Sequence, residues 1–292
     1  MKNGDLALRF VTLTPFCWCI MKKVTDMGRE SIALPRELGR LIDGQPYVTD
    51  NIGLSGSQVL LFEDKVLKIQ PAGQETRAEH AMMTWLEGKL PVPRCLYHAE
   101  ENGLNYLLMT KIHGDMSCDA MYMREPRILI WALAESLKQL WQVDVSDCPV
   151  KWDLKHKLAL AETLVEQGKV DVENTEPETF GENGFRDPQA LLRWLQEHQP
   201  EEDLVLSHGD FCLPNVFLED GHLSGLIDLG RMGIADRWQD IALCYRSLKH
   251  NADGRYTGVP YENVDPNLLF EALELEPDWE KLRYYTLLDE LF

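Results

Sequence analysis

LVLSHGDFCLPNVFLEDGHLSGLIDLG, residues 204–230, sets four polar side chains, His208, Asp210, Asn215 and Asp228, between short apolar runs. Val205-Leu206 predicts a strand entry. Val216 to Leu218 and Leu223 to Ile227 predict two strands joined by a turn at Glu219-Asp220-Gly221-His222. An acid and an amide then lie in the loop before a hairpin, with a second acid at its far end. That layout suits a metal–phosphate site.

The chain around this stretch has 292 residues, of which 45% are hydrophobic and 9% aromatic, enough to pack one large domain or two modest ones. A formal net charge of −19 argues against nucleic acid as a partner and for attraction of cations, although an acidic surface also serves solubility. Seven cysteines, odd in number and without C-x-x-C spacing, read as reduced thiols of a cytoplasmic protein. Leu6 to Ile20 is apolar, but Arg9 and Pro15 interrupt it and Met21-Lys22-Lys23 follow it, so neither secretion nor a membrane span is expected. Because Met21 and Met27 offer later starts, residues 1–30 read as an N-terminal extension, disordered or not natively made.

Ile32 to Ile42 predicts a short helix after Pro35. Tyr47 to Ile69 has the texture of strands and turns, with Gly53-Leu54-Ser55-Gly56-Ser57 between them. Thr76 to Leu90 predicts a helix with Ala78, Met82, Trp85 and Leu86 on one face. Leu96 to His98 and Tyr106 to Met109 predict strands around Glu101-Asn102-Gly103. Beyond Ile112-His113-Gly114 the pattern turns helical: Pro126 to Val143, Leu154 to Gln167, Pro188 to His198 capped by Asp187, Asp236 to Lys249, Asn267 to Leu273 and Asp278 to Phe292. The expected class is α+β in two lobes. Residues 31–110 form a small antiparallel sheet with one main helix, 111–114 a hinge, and 115–292 a larger, mainly helical lobe.

Asp210 and Asn215 keep the interval of the kinase catalytic loop H-R-D-x-x-x-x-N, with Gly209 in place of arginine, and Asp228 stands where the D-F-G acid would. Upstream, Lys68 in Val66-Leu67-Lys68-Ile69 has the place of the phosphate-pairing strand lysine, and Glu79 on the next helix that of its ionic partner. In isolation such a pair reads as a surface salt bridge, and Gly53-x-x-Gly56 as an ordinary turn. A metallohydrolase cluster of His208, Asp210 and Asp228 is the weaker alternative, since no second histidine sits at ligand spacing. Phosphoryl transfer requires positioning and charge neutralisation, which gives Asp210 the role of base toward a hydroxyl. Asn215 and Asp228 become Mg2+ ligands, and Lys68, Glu79 and the backbone of Ser55, Gly56 and Ser57 form the phosphate cradle. His208 would hold the loop, and Asp240 would brace it from inside.

These motifs resemble the aminoglycoside 3′-phosphotransferases of the aminoglycoside and choline kinase-like group. The likeness runs from about Ser31 to Phe292. It rests on Trp85 to Pro93 (WLEGKLPVP), Ser207 to Asp210 (SHGD), Ile227 to Arg231 (IDLGR), Asp240-Ile241-Ala242, and Leu288 to Phe292 (LDELF). The resemblance implies a protein-kinase-like fold, with ATP or GTP as phosphoryl donor and Mg2+. It implies kanamycin- or neomycin-type polycations as acceptors, bound by Arg231, Asp289, Glu290, the carboxylate of Phe292 and the acidic loop containing Glu173 and Glu176. That loop otherwise reads as solvated. Thr110 and Ile112 would meet the purine through backbone groups. Val66 stands where relatives stack a tyrosine on adenine, and His250 where they carry a glutamate. A monomer or weak dimer is expected. A kinase of another small hydroxylated amine or sugar, and a nucleotide-binding pseudokinase, are the rival readings.

Overall fold

The computed structural model describes residues 34–50, 57–256 and 258–292. Helix α1 (Arg36–Ile42) is followed by strands β1 (Val48–Asp50), β2 (Gln58–Leu61) and β3 (Lys65–Pro71), helix α2 (Gln74–Trp85), and strands β4 (Cys95–Glu101) and β5 (Leu104–Thr110). The five strands make one antiparallel sheet in the order β1-β2-β3-β5-β4, as the alternating sequence predicts. Its two faces diverge. Leu67, Ile69, Tyr106 and Leu108 pack with Leu38 and Ile42 of α1 in a small core, while Leu107 and Met109 join Met82, Met83 and Leu86 in the main core. Lys68 lies on the second face, pointing toward α2 and the rest of the molecule.

The remainder carries β6 (Asp115–Met116), helices α3 (Ala120–Met123), α4 (Pro126–Trp141), α5 (Leu154–Glu166) and α6 (Pro188–Glu197), then β7 (Leu204–Ser207), β8 (Val216–Glu219), β9 (His222–Leu226) and β10 (Gly233–Asp236). Helices α7 (Arg237–Ala252), α8 (Leu268–Leu273) and α9 (Trp279–Asp289) close it. The β8–β9 hairpin turns on Asp220-Gly221 and the β4–β5 hairpin on Asn102-Gly103. Asp220 and Asn102 adopt φ of 51° and 54°, as two-residue turns that match strand twist require. Asp187 caps α6 by accepting from the Ala190 amide.

Several boundaries differ from the sequence reading. Helix α2 starts at Gln74 because Thr76 sits one turn inside it and reaches back to the Gly73 amide (3.0 Å); it ends at Trp85, where Leu86 to Lys89 form turns before Gly88 takes a left-handed φ. Helix α9 ends at Asp289, and Leu291 and Phe292 follow with tighter bonds to Leu288 and Asp289. Strand β10, which the sequence reading leaves out, pairs with β7 and delivers Asp236 to the head of α7.

Asp236 is wholly buried and accepts from the Trp238 amide, Tyr285 Oη (2.7 Å) and Lys281 Nζ (3.1 Å), joining α7 to α9. Removing it strands a mostly buried ammonium and a phenol. Asp236→Ala should lose about 3–5 kcal/mol of unfolding free energy in urea titrations; a loss under about 1 kcal/mol would show that the buried acid is not what joins these helices.

Candidate active site

Strand β7 ends at Ser207, and the next two amides, His208 (2.7 Å) and Gly209 (2.9 Å), both donate to the fully buried carboxylate of Asp240 in the first turn of α7. Burial pushes that carboxyl up in pKa, against the pull of His208 and the two amides. Gln239 Nε2 donates to the Gly209 carbonyl (2.8 Å). Gly209 has φ of 81°, and a Cβ there would lie 2.0 Å from the Arg231 carbonyl oxygen, so only glycine lets the chain pass. His208, wholly buried, accepts from the Asp210 amide at Nδ1 (3.3 Å) and places Nε2 3.0 Å from the Ile227 carbonyl. That pattern assigns the ring proton to Nε2. It ties the loop to the hairpin end, and both His208 and Asp240 act as the sequence reading expects.

The turn Leu213–Asn215 brings Asn215 back onto Asp210. Asn215 Nδ2 donates to the Asp210 carbonyl and to Oδ2, both at 3.0 Å. The amide nitrogen is thereby committed, which leaves Oδ1 as the donor atom for a cation. Asp228 follows β9 in a left-handed conformation (φ 60°, ψ 62°) that turns its carboxylate toward Lys68. Lys68 Nζ lies 3.0 and 3.1 Å from the two oxygens of Glu79 and 2.9 Å from Asp228 Oδ1. Burial alone would lower the Lys68 pKa, but the two carboxylates outweigh it and hold the ammonium protonated. Burial likewise opposes ionisation of Asp228, and Lys68 overcomes it, keeping that carboxyl below its ordinary value. Glu79 is 2% exposed, whereas the Asp228 side chain is 52% exposed.

Asn215 Oδ1 and the second oxygen of Asp228 are hard donors with no protein partner among the described residues. Such a pair fits Mg2+, which keeps several waters and takes only one or two protein oxygens beside phosphate. No group of three His, Cys, Asp or Glu side chains that could hold a metal occurs among the described residues, so the metallohydrolase arrangement is not found there.

Of the expected nucleotide contacts, Ser55 and Gly56 lie outside the described residues. Ser57 Oγ donates to Gln70 Oε1 (3.2 Å), and Gln70 Nε2 donates to Glu79 (3.3 Å), so Ser57 is connected to the Lys68 pair. Val66 is half-buried on β3, pairing with Met109. The Thr110 amide is already bound by the Arg94 carbonyl (3.0 Å), which restricts what Thr110 can offer a purine. Ile112 follows the strand and packs over Gly225, where a Cβ would come within 2.4 Å of its Cγ2.

The expected acceptor contacts form a different picture. Asp289 pairs with Arg246 and with Arg231 (3.4 Å), and Glu290 pairs with Arg246 (3.4 Å) while accepting from the Glu176 amide (2.9 Å). Burial opposes ionisation of Asp289 but the two arginines prevail, whereas burial pushes Glu290 up to about 7. Glu176 pairs with Arg255 and with His250 Nε2 (3.2 Å). Arg231 also reaches Glu75 (3.4 Å) and lies over the Phe292 ring, 5.4 Å from its centroid. The structure thus gathers Arg231, Asp289, Glu290, Phe292 and Glu176. Glu173 stays exposed in a turn stapled by Asp171. Sequence reading missed Arg246 and Arg255; the only hint was that buried terminal acids need cations. It also missed Cys212, whose Sγ lies 3.0 Å from Asp210 Oδ1.

Residues 50–285 match the family described as the phosphotransferase enzyme family. An aminoglycoside 3′-phosphotransferase of Enterococcus faecalis is 39% identical over 269 residues, covering 88% of this chain and 97% of that protein. The crystal structure of an aminoglycoside 3′-phosphotransferase of type VIII superposes with a TM-score of 0.74 at 30% identity, covering 88% of this chain and 97% of the other. The structure of aminoglycoside phosphotransferase APH(3″)-Id from Streptomyces rimosus in complex with ADP and streptomycin gives a TM-score of 0.68 at 25% identity, covering 87% of this chain and 97% of the other.

Gly209→Ala tests the loop geometry. The added methyl forces either the loop or the Arg231 carbonyl to move, so phosphoryl transfer should fall at least about 100-fold. Nucleotide affinity, read by fluorescence titration, should change little; retention of full turnover would show that the close approach is not required.

Proposed function

The chain belongs to the phosphotransferase enzyme family, among its aminoglycoside 3′-phosphotransferases, and on that premise we propose that it moves the γ-phosphoryl group of ATP to the 3′-hydroxyl of kanamycin- or neomycin-type aminoglycosides. The observation that carries this reading is the placement of Lys68, Glu79 and Asp228 in one hydrogen-bonded assembly, tied through His208 to Asp210 and Asn215. Asp210 orients the acceptor hydroxyl and takes its proton as the oxygen–phosphorus bond forms and the bond to the departing ADP oxygen breaks. Lys68 pairs with nucleotide phosphates, and Glu79 fixes its direction. Asn215 Oδ1 and Asp228 would hold Mg2+, which would neutralise phosphate charge when bound. Val66 gives the base an aliphatic contact, which does not discriminate between the two purines, so GTP stands beside ATP as donor.

Acidic surface at −19 attracts a polycation and repels nucleic acid. Among the described residues no helix is long and apolar enough to cross a membrane, which is compatible with action in the bacterial cytoplasm, where ATP and the drug's ribosomal target meet. The phosphate added to the drug places negative charge on a molecule that binds RNA through its ammonium groups, and so protects the cell.

A coupled nucleotide assay over aminoglycosides with and without a 3′-hydroxyl is the direct test. Turnover should require that hydroxyl, and equal rates on both sets would exclude the regiochemistry. Asp210→Ala should keep nucleotide binding while kcat falls by about 10²–10⁴-fold.

A further inference from the structure

We propose that Cys212 is a positioning residue whose thiol donates to Asp210 Oδ1 and, with Asn215, holds the catalytic carboxylate by both oxygens. The proposal rests on the reading of Asp210 as the base toward an acceptor hydroxyl. The geometry comes from one compact turn. The Cys212 amide donates to the Asp210 carbonyl (2.8 Å) and the Asn215 amide to the Cys212 carbonyl (3.0 Å), with Pro214 fixing the backbone between. This places Sγ 3.0 Å from Oδ1 while Asn215 Nδ2 sits 3.0 Å from Oδ2. A carboxylate oxygen at this distance can only accept, so the thiol S–H is the donor and Oδ1 the acceptor.

A carboxylate has about four lone-pair sites, and these two bonds use one on each oxygen. The remaining sites stay open to an incoming hydroxyl, so the thiol acts as a clamp rather than as a competitor for the substrate's position. Without it, rotation about the Asp210 side chain is restrained only through Oδ2. The nucleotide contacts of Lys68 and Asp228 do not involve Cys212, so its loss should act on transfer and not on nucleotide binding.

The test compares Cys212→Ala with Cys212→Ser in the full chain. Cys212→Ala should lower kcat for drug phosphorylation about tenfold, the worth of one hydrogen bond to a charged group, with both KM values within about twofold. It should also raise the share of ATP passed to water in place of drug, because an unclamped carboxylate aligns the acceptor less well. Cys212→Ser, which keeps an O–H donor, should restore most of kcat and the coupling. An unchanged or raised kcat in the alanine variant, or a serine variant as impaired as alanine while melting normally, overturns the proposal. A readout independent of substrate separates this from failure of the functional reading. The S–H infrared band isolated by subtracting the Cys212→Ser spectrum should lie at lower frequency in the wild-type protein than in Asp210→Ala, and an unmoved band refutes the clamp.

Discussion

Lys68 sits between two carboxylates supplied by different parts of the chain, and the architecture follows from the need to neutralise it. A cation on the inner face of a sheet is tolerable only beside an anion, and Glu79, one helix further on, meets it through both oxygens. That pairing fixes α2 against β3. The second partner, Asp228, arrives from the end of β9 and fastens that hairpin to the same ammonium. The two acids differ in a way that assigns their work. Glu79 is sealed from solvent and would be stranded without Lys68, whereas Asp228 is half-exposed and keeps a free oxygen, so it can accept a second cation without abandoning the first.

The loop from His208 to Asp210 solves a separate problem. Its backbone is buried without belonging to a strand or helix, so each amide needs a specific acceptor. Asp240 takes two of them, His208 takes the Asp210 amide, and Gln239 donates to the Gly209 carbonyl. Because Asp240 and Gln239 both stand in the first turn of α7, the helix becomes the platform on which the loop rests. No basic side chain makes an ion pair with Asp240 among the described residues; two N–H groups and the positive end of α7 stabilise its charge. The same turn chemistry continues into Cys212 and Asn215, whose side chains each donate to one oxygen of the Asp210 carboxylate.

Much of this was legible because it is local. Two-residue turns at Asn-Gly and Asp-Gly, the alternation that exposes Lys68 on one face of β3, and the spacing of Asp210, Asn215 and Asp228 are set within a few residues of themselves. What escaped depends on pairing across long separations. Strand β10 has only Gly-Ile-Ala-Asp to announce it and exists because β7 lies beside it. Gly88, left-handed, is a stop that the sequence does mark, but the apolar pattern runs on to Leu90 and hides that α2 already ends at Trp85. Arg246 has no local signal to mark it, since its partners, Asp289 and Glu290, are brought to it only by the packing of α9 on α7.

Those arginines alter how the acidic character of the chain should be understood. The sequence suggested a rim of free carboxylates for a polycation, yet Asp289 and Glu176 are already paired with arginines, and Arg246 reaches Glu290. Glu290 is the exception in protonation. Burial holds it near 7, so its ionisation costs the fold stability as pH rises from the ordinary carboxylate range to about 7. An ammonium group placed beside it would favour the ionised form and offset that cost, coupling cation binding to release of a proton. A polycation bound here would be selected less by a count of exposed acids than by how readily an incoming ammonium could share anions that arginines already occupy.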